Sequence, residues 1–273
     1  MNNHKDVDFV VNTFERTYRE VLAPGFIEKM VDDHCFAFAK RVVLINNVTD
    51  CANAEGMARN LREAGKITEF HFVSYLLHNT LRAAGLTPKD IEQAIHYTDC
   101  SLVAMFLAGS EYVVYCDADV GLKRPYDWIS PSLALMERDS RIAVANPNWP
   151  KATLAAEARE YAGEFGIGYG FSDYLYLVRR SEFARPIYKF RAPISLRFPL
   201  STLGPHFEQM VDSYRRVNRR MRATCTSVAY EHRSDEGAGY PKVTMTKRIG
   251  RLRNNIIVRL AQSLPGQHPC WHV

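Results

Sequence analysis

Apolar residues recur along this chain in two rhythms: short β-rich runs, and longer stretches in which they return every third or fourth position. Residues 7–12 (VDFVVN) and 41–46 (RVVLIN) are dense in β-branched side chains and end on asparagine, the pattern of buried strands closed by a polar residue. Residues 67–73 alternate around Phe70 and Phe72, and residues 112–116 (YVVYC) form a further apolar run. Between these runs the spacing predicts helices over about 14–22, then from the Pro24-Gly25 break to about 34, and over 54–64 with Gly65 as the stop. Further helices are expected over 76–84, over 89–94 with Thr87 as N-cap and Pro88 at the first helical position, and over 101–108. Strands separated by helices in this order predict an α/β domain with a mostly parallel central sheet and helices on both faces.

Beyond residue 119 the rhythm changes. Strands are expected over 141–145, 174–178 and 223–230, and a helix over about 206–221. The prolines of Asn146-Pro147-Asn148-Trp149-Pro150 argue against regular structure there, and residues 186–205, with four prolines, read as an extended loop. After a loop at 234–241, a helical tail over 243–264 sets Ile249, Leu252, Ile256, Ile257 and Leu260 opposite Lys247, Arg248, Arg251 and Arg259. Such a basic amphipathic helix suits an anionic membrane surface, and it equally suits packing on the domain or on a second subunit.

With 273 residues, 47% of them hydrophobic, the chain is long enough for one substantial core. Its apolar runs are far shorter than the ~20 residues a membrane-spanning helix needs. The first residues show no basic stretch followed by an apolar one, so a cytoplasmic protein, possible at the inner face of a membrane, is expected. Six cysteines without a CxxC pair fit reduced, structural thiols. The net charge of +5 is modest, but basic residues crowd 215–259, a distribution that attracts phosphate groups.

The sharpest chemical signal is Asp117-Ala118-Asp119. Both carboxylates follow an apolar strand directly, where an open α/β sheet places its ligands. Spaced by one residue, they can share a hard divalent cation, which prefers oxygen donors and bridges diphosphate oxygens. A solvent-exposed acidic turn would give the same spacing.

The order of features over about residues 7–233 resembles the GT-A-type (Rossmann-like) glycosyltransferases that use nucleotide sugars, and within them the inverting family 2-like group. Asn12-Thr13-Phe14-Glu15-Arg16 is similar to the nucleoside-holding loop of that family, so Thr13, Glu15 and Arg16 are implied donor contacts. Asp117 and Asp119 match the metal and diphosphate motif, with Mn2+ or Mg2+ as the implied cofactor. His232, in Tyr230-Glu231-His232-Arg233, matches a further ligand position, and an imidazole there favours manganese. Arg233, with Lys242 beyond a Gly237-Ala238-Gly239 loop, would hold the diphosphate. Asp50 stands displaced from the acidic residue the family often carries after its second strand. Asp99 is open to two readings, a contact to base or ribose and a helix cap.

The resemblance places the general base at the start of a late helix. Here that is Glu208, with Asp212 one turn on in reserve, although a first-turn glutamate also suits a helix dipole. The segment Gly166–Asp173 and Trp149 suit a sugar-binding wall, with Asp173 read as a hydroxyl acceptor, a second base or a turn residue. The implied layout is a catalytic domain over 1–242, with a nucleotide-sugar half at 1–122 and an acceptor and catalytic half at 123–242, followed by a basic extension at 243–273. The implied partners are a nucleotide-sugar donor and a glycan or lipid-linked acceptor in polysaccharide assembly; no nucleic acid is expected.

Three rivals weigh against this reading. Asp117-Ala118-Asp119-Val120 also fits the nucleophile of a haloacid-dehalogenase-like phosphatase, but that motif follows the first strand of its domain. A nucleotidyltransferase would carry a glycine-rich loop after its first strand, and residues 12–16 contain no glycine. A non-enzymatic carbohydrate- or nucleotide-binding protein would not need Asp117, Asp119 and Glu208 together.

Overall fold

A computed structural model describes residues 6–149, 158–233 and 244–263. Its strands are β1 (Val7–Thr13), β2 (Lys40–Ile45), β3 (Glu69–Phe72), β4 (Tyr112–Cys116), β5 (Val120–Leu122), β6 (Ile142–Asn148), β7 (Ala158–Ala162), β8 (Phe165–Gly168), β9 (Leu175–Arg179) and β10 (Met221–His232). They form a sheet in the order β3-β2-β1-β4-β9-β6-β10-β8-β7, with β5 paired to β10 off this path. The N-terminal half, β3-β2-β1-β4, is entirely parallel. β9 then runs antiparallel to both β4 and β6, and the β7–β8 hairpin closes the far edge.

Alternation along β1 shows why both faces must be covered. Val7, Phe9 and Val11 point into one core with Val43, Ile45 and Val114, while Val10 joins Val42, Leu44 and Val113 in the other. Helices Phe26–Asp32, Cys51–Glu63 and Ile129–Arg138 contribute to the first core, and Val73–Ala83, Asp99–Phe106 and Phe207–Val217 to the second. Helix Cys51–Glu63 buries Ala54, Ala58 and Leu61, one face at helical spacing, and Asp50 caps it by accepting from the Asn53 amide at 3.0 Å. Asp50, the displaced acidic residue, is therefore occupied as a cap. Thr87 and Pro88 open a helix as the sequence predicts, with Asp90 accepting from the Thr87 amide at 2.7 Å.

Several elements differ from expectation. Residues 14–17 form a turn in which the Phe14 amide donates to Thr17 Oγ1, so that helix shrinks to Tyr18–Val21. Helix Ile129–Arg138 and strands β5, β7 and β8 were not legible. Asn146-Pro147-Asn148 continues β6 rather than breaking it. β9 pairs only with Val144 and Ala145 of β6, so beyond them the strand is bonded on its β10 side alone, and the N–H that proline lacks is not missed. The segment 186–205 contains two short 3-10 helices, Pro193–Arg197 and Pro199–Thr202, each with a proline in its first turn.

The chain ends its described part in helix Met245–Ser263, which packs on residues 193–202. Among the described residues no helix is long and apolar enough to cross a membrane, and the cysteines are free thiols. Lys242 and the Gly237–Gly239 loop lie outside the described residues.

Candidate active site

Because β1 and β4 are parallel and Val11 is paired with Cys116, Asn12 near the end of β1 and Asp117 just beyond β4 lie side by side at the carboxyl edge of the sheet. Asn12 uses both ends of its amide there. Its Nδ2 donates to Asp117 Oδ1 at 2.8 Å, and its Oδ1 accepts from the Ala118 amide at 3.0 Å. The Tyr115 hydroxyl donates to the same Asp117 oxygen at 3.0 Å. Asp117 is thus fixed against the sheet. Burial pushes its carboxyl well above the usual range, the charges of Asp119 and Asp173 push it further, and the two donors only partly offset this.

Asp119 faces outward, its side chain 39% exposed. The antiparallel β5–β10 ladder pairs Val120 with His232, which brings His232 Nδ1 to 3.8 Å from Asp119 Oδ2. Tyr174 and Trp149 hold the imidazole edge-on, with ring centroids 4.4 and 5.2 Å away. Arg233 follows directly: its amide donates to the Asp119 carbonyl at 2.6 Å and its guanidinium lies 5.1 Å from the centre of the Phe26 ring. That guanidinium crosses Gly121 so closely that a Cβ there would stand 2.7 Å from Arg233 Nε. Glycine at 121 leaves it room.

Among the described residues no three of His, Cys, Asp and Glu stand together as a ready-made metal cage. The Asp119–His232 pair supplies one oxygen and one nitrogen donor 3.8 Å apart. A cation that takes most of its ligands from phosphates and water needs no more from the protein, so this donor set fits a divalent ion carried on a diphosphate.

The other implied donor contacts lie on the loops beside this edge. Thr13 is fully buried, its hydroxyl 3.1 Å from that of Thr17, so it shapes the loop. Glu15 accepts from the Thr49 amide at 2.6 Å, which ties the loop after β1 to the loop after β2, and Arg16 lies over the Phe14 ring. Asp99 is buried and accepts from Asn46 Nδ2 at 2.9 Å and from the Cys100 amide; burial raises its pKa. The helix cap position beside it belongs to Thr98.

A cavity of about 260 Å³ opens on the second half of the sheet, with Asn146, Trp149, Tyr174, Glu208, Arg222 and Tyr230 in its lining. Trp149 packs on Tyr230 with centroids 4.9 Å apart and makes one aromatic wall. Glu208 sits in the first turn of helix Phe207–Val217, its Oε2 3.9 Å from Nε2 of the buried His206. Burial lowers the His206 pKa, and the charge of Asp173 works against that shift. Asp173 is pushed up to about 8, first by burial and then by the charge of Glu208, with His206 opposing.

Asp212, the reserve base, is withdrawn from this role. It is fully buried and its Oδ2 accepts from Ser195 Oγ at 2.6 Å, Arg216 Nε at 2.8 Å and Arg197 Nη1 at 3.0 Å. Burial alone would raise its pKa, but the two guanidinium groups outweigh it and hold the carboxylate ionised.

Sequence reasoning missed Asn12 as the clamp on Asp117, although a polar residue closing an apolar strand next to the acidic motif was a usable signal. It also missed Tyr174 as a support of His232, which depends on the β9 and β10 strand ends meeting.

No protein-family model matches the chain, and no curated protein sequence does. Solved structures superpose on it to different degrees. GalNAc-T7 with UDP, GalNAc and Mn2+ superposes with a TM-score of 0.52 at 12% identity, over 94% of this chain and 49% of that one. S. aureus TarS gives a TM-score of 0.48 at 10% identity, over 82% of this chain and 59% of that one. Glucosyl-3-phosphoglycerate synthase from Mycobacterium tuberculosis, in complex with Mn2+, UDP and phosphoglyceric acid, gives 0.43 at 12% identity, over 97% and 81% of the two chains. The sheet and its covering helices define an α/β protein with a mostly parallel first half. More narrowly, the chain has the GT-A glycosyltransferase fold, and it spans about half the length of the GalNAc-T7 chain it superposes on.

Proposed function

We propose that this protein is a divalent-metal-dependent glycosyltransferase that moves a sugar from a nucleoside-diphosphate donor to a hydroxyl on a glycan or lipid-linked acceptor, with inversion. The observation that carries this reading is the convergence of Asp119, His232 and Arg233 at the mouth of a GT-A sheet, next to a cavity lined by Glu208. Asp119 and His232 would hold Mn2+ or Mg2+, which when bound neutralises charge on the departing diphosphate. Arg233 adds a fixed positive group to the same oxygens. Asp117, clamped by Asn12 and Tyr115, orients the turn that presents Asp119.

In the cavity, an acceptor hydroxyl attacks the anomeric carbon from the face opposite the diphosphate. The new C–O bond forms as the bond to the diphosphate breaks, and the hydroxyl proton passes to the Glu208 carboxylate. Asp173, its carboxyl pushed up to about 8 by burial and by the charge of Glu208, is the second carboxyl of this pair. The Trp149 ring, backed by the buried Tyr230, gives a sugar an apolar surface to lie on.

A panel of UDP-, GDP- and dTDP-sugars, each with and without Mn2+, tests this by thermal shift and donor hydrolysis. A metal-dependent response to at least one donor is expected, and Asp119→Ala removes it. No response to any donor overturns the proposal.

A further inference from the structure

Helix Met245–Ser263 carries two apolar faces, and the domain covers only one. The inward face is Gly250, Asn254, Ile257, Val258 and Ala261. Val258 packs with Ala192 and Ile194, and the buried Asn254 donates from Nδ2 to Ser201 Oγ at 2.9 Å. At Gly250 a Cβ would lie 3.3 Å from Thr202 Cγ2, so the helix sits close on its support. On the outward side Met245, Ile249, Leu252, Ile256 and Leu260 are between 50% and 70% exposed. Their spacing returns each to one side of the helix, a stripe about 22 Å long at 1.5 Å per residue.

Charge decides what covers this stripe. Arg248, Arg251, Arg253 and Arg259 lie on the helix, exposed or beside the stripe, and residues 244–263 contain no Asp or Glu. A second copy docked stripe to stripe would bring two sets of positive charge together. An anionic lipid surface satisfies both features at once, with acyl chains for the stripe and headgroups for the flanking cations.

We propose that helix Met245–Ser263 anchors the protein in the interface of an anionic membrane and, through its seat, turns the acceptor cavity toward that membrane. The seat is residues 193–202, and Phe198 and Pro199 of the same segment line the cavity. The anchor stands on this helix alone. The delivery of a lipid-borne acceptor to the cavity rests on the transferase reading above.

Flotation of the full chain with vesicles of phosphatidylcholine alone, or with phosphatidylglycerol added, tests the anchor without any donor. Binding to the anionic vesicles is expected, weaker by roughly tenfold or more on neutral vesicles and reduced by salt. The double variant Leu252→Ser/Ile256→Ser, at exposed positions, keeps its thermal transition and loses binding by a similar factor. Equal binding to neutral vesicles, no binding at all, or a solution dimer that this variant dissociates would each overturn the anchor. For the seat, Pro199→Cys carrying a polarity-sensitive dye, with Cys35, Cys51 and Cys270 changed to serine, shifts its emission on anionic vesicles; an unchanged spectrum overturns the cavity orientation. Loss of the donor response would remove the transferase reading and leave the flotation result standing.

Discussion

The carboxylates at the strand ends and the carboxylate of Asp212 are treated in opposite ways. Asp117 and Asp173 are packed near other acids, so burial and mutual repulsion push both upward. Asp212 is more deeply enclosed, yet Arg197 and Arg216 hold it ionised. The first arrangement gains from an added cation, and the second is already neutralised within the fold. Carboxylates gathered against one another at a cleft mark a place for chemistry, whereas one locked between guanidinium groups marks a structural joint. Asp212 joins helix Phe207–Val217 to residues 193–202 and so holds the Glu208 end of the cavity in place.

Breaking each side separately sharpens the contrast. Glu208→Gln should lower kcat by about 10²–10⁴-fold, the range for loss of a general base, with donor binding by thermal shift unchanged. Transfer at the parent rate would remove Glu208 from the base role. Asp212→Ala should instead cost about 3–5 kcal/mol of stability in chemical denaturation, the penalty for stranding buried charges. Its donor binding should persist wherever the protein remains folded.

A buried histidine remote from both sites gives a pH test of the core beneath the first half. His34 Nδ1 accepts from Trp128 Nε1 at 2.9 Å, so the imidazole is neutral, and burial lowers its pKa to about 4. The unfolded chain takes up a proton near 6.5 and the native state does not until about 4. Stability is therefore full above that upper value and falls as the pH drops between the two, by about 3 kcal/mol for a shift of this size. Urea titrations at neutral and mildly acidic pH should show this slope, and His34→Gln should flatten it.

The smallest effect is expected at the clamp. Asn12→Ala removes two hydrogen bonds from the Asp117 turn and should cost about 1–3 kcal/mol, with donor affinity falling more than kcat. An unchanged affinity would mean that Asp119 is positioned without Asp117.

The parallel half of the sheet is legible in the chain's apolar runs. Residues 112–116 are β4 as read, and β1 and β2 differ by single residues, because short runs rich in β-branched and aromatic residues, buried on both faces, have no competing pattern. The β7–β8 hairpin was invisible for the opposite reason: Ala158–Ala162 is mostly exposed, and Phe165–Gly168 contains two glycines. Pro147 misled because a proline excludes a strand only where both ladders need its N–H.

The site divides along the same line. The Asp117-Ala118-Asp119 motif was readable because its two acids and the strand before them are contiguous. Glu208 was placed at a helix start through the family resemblance, and the structure puts it there. What only the tertiary structure decided was partnership: Asn12 against Asp117, His232 against Asp119, and Asp212 against two arginines. Those pairs join residues 105, 113 and at most 15 positions apart, through strand register and the fold of a proline-rich segment. A carboxylate's identity is written in the chain, but its charge state and its availability are set by neighbours that only folding brings to it.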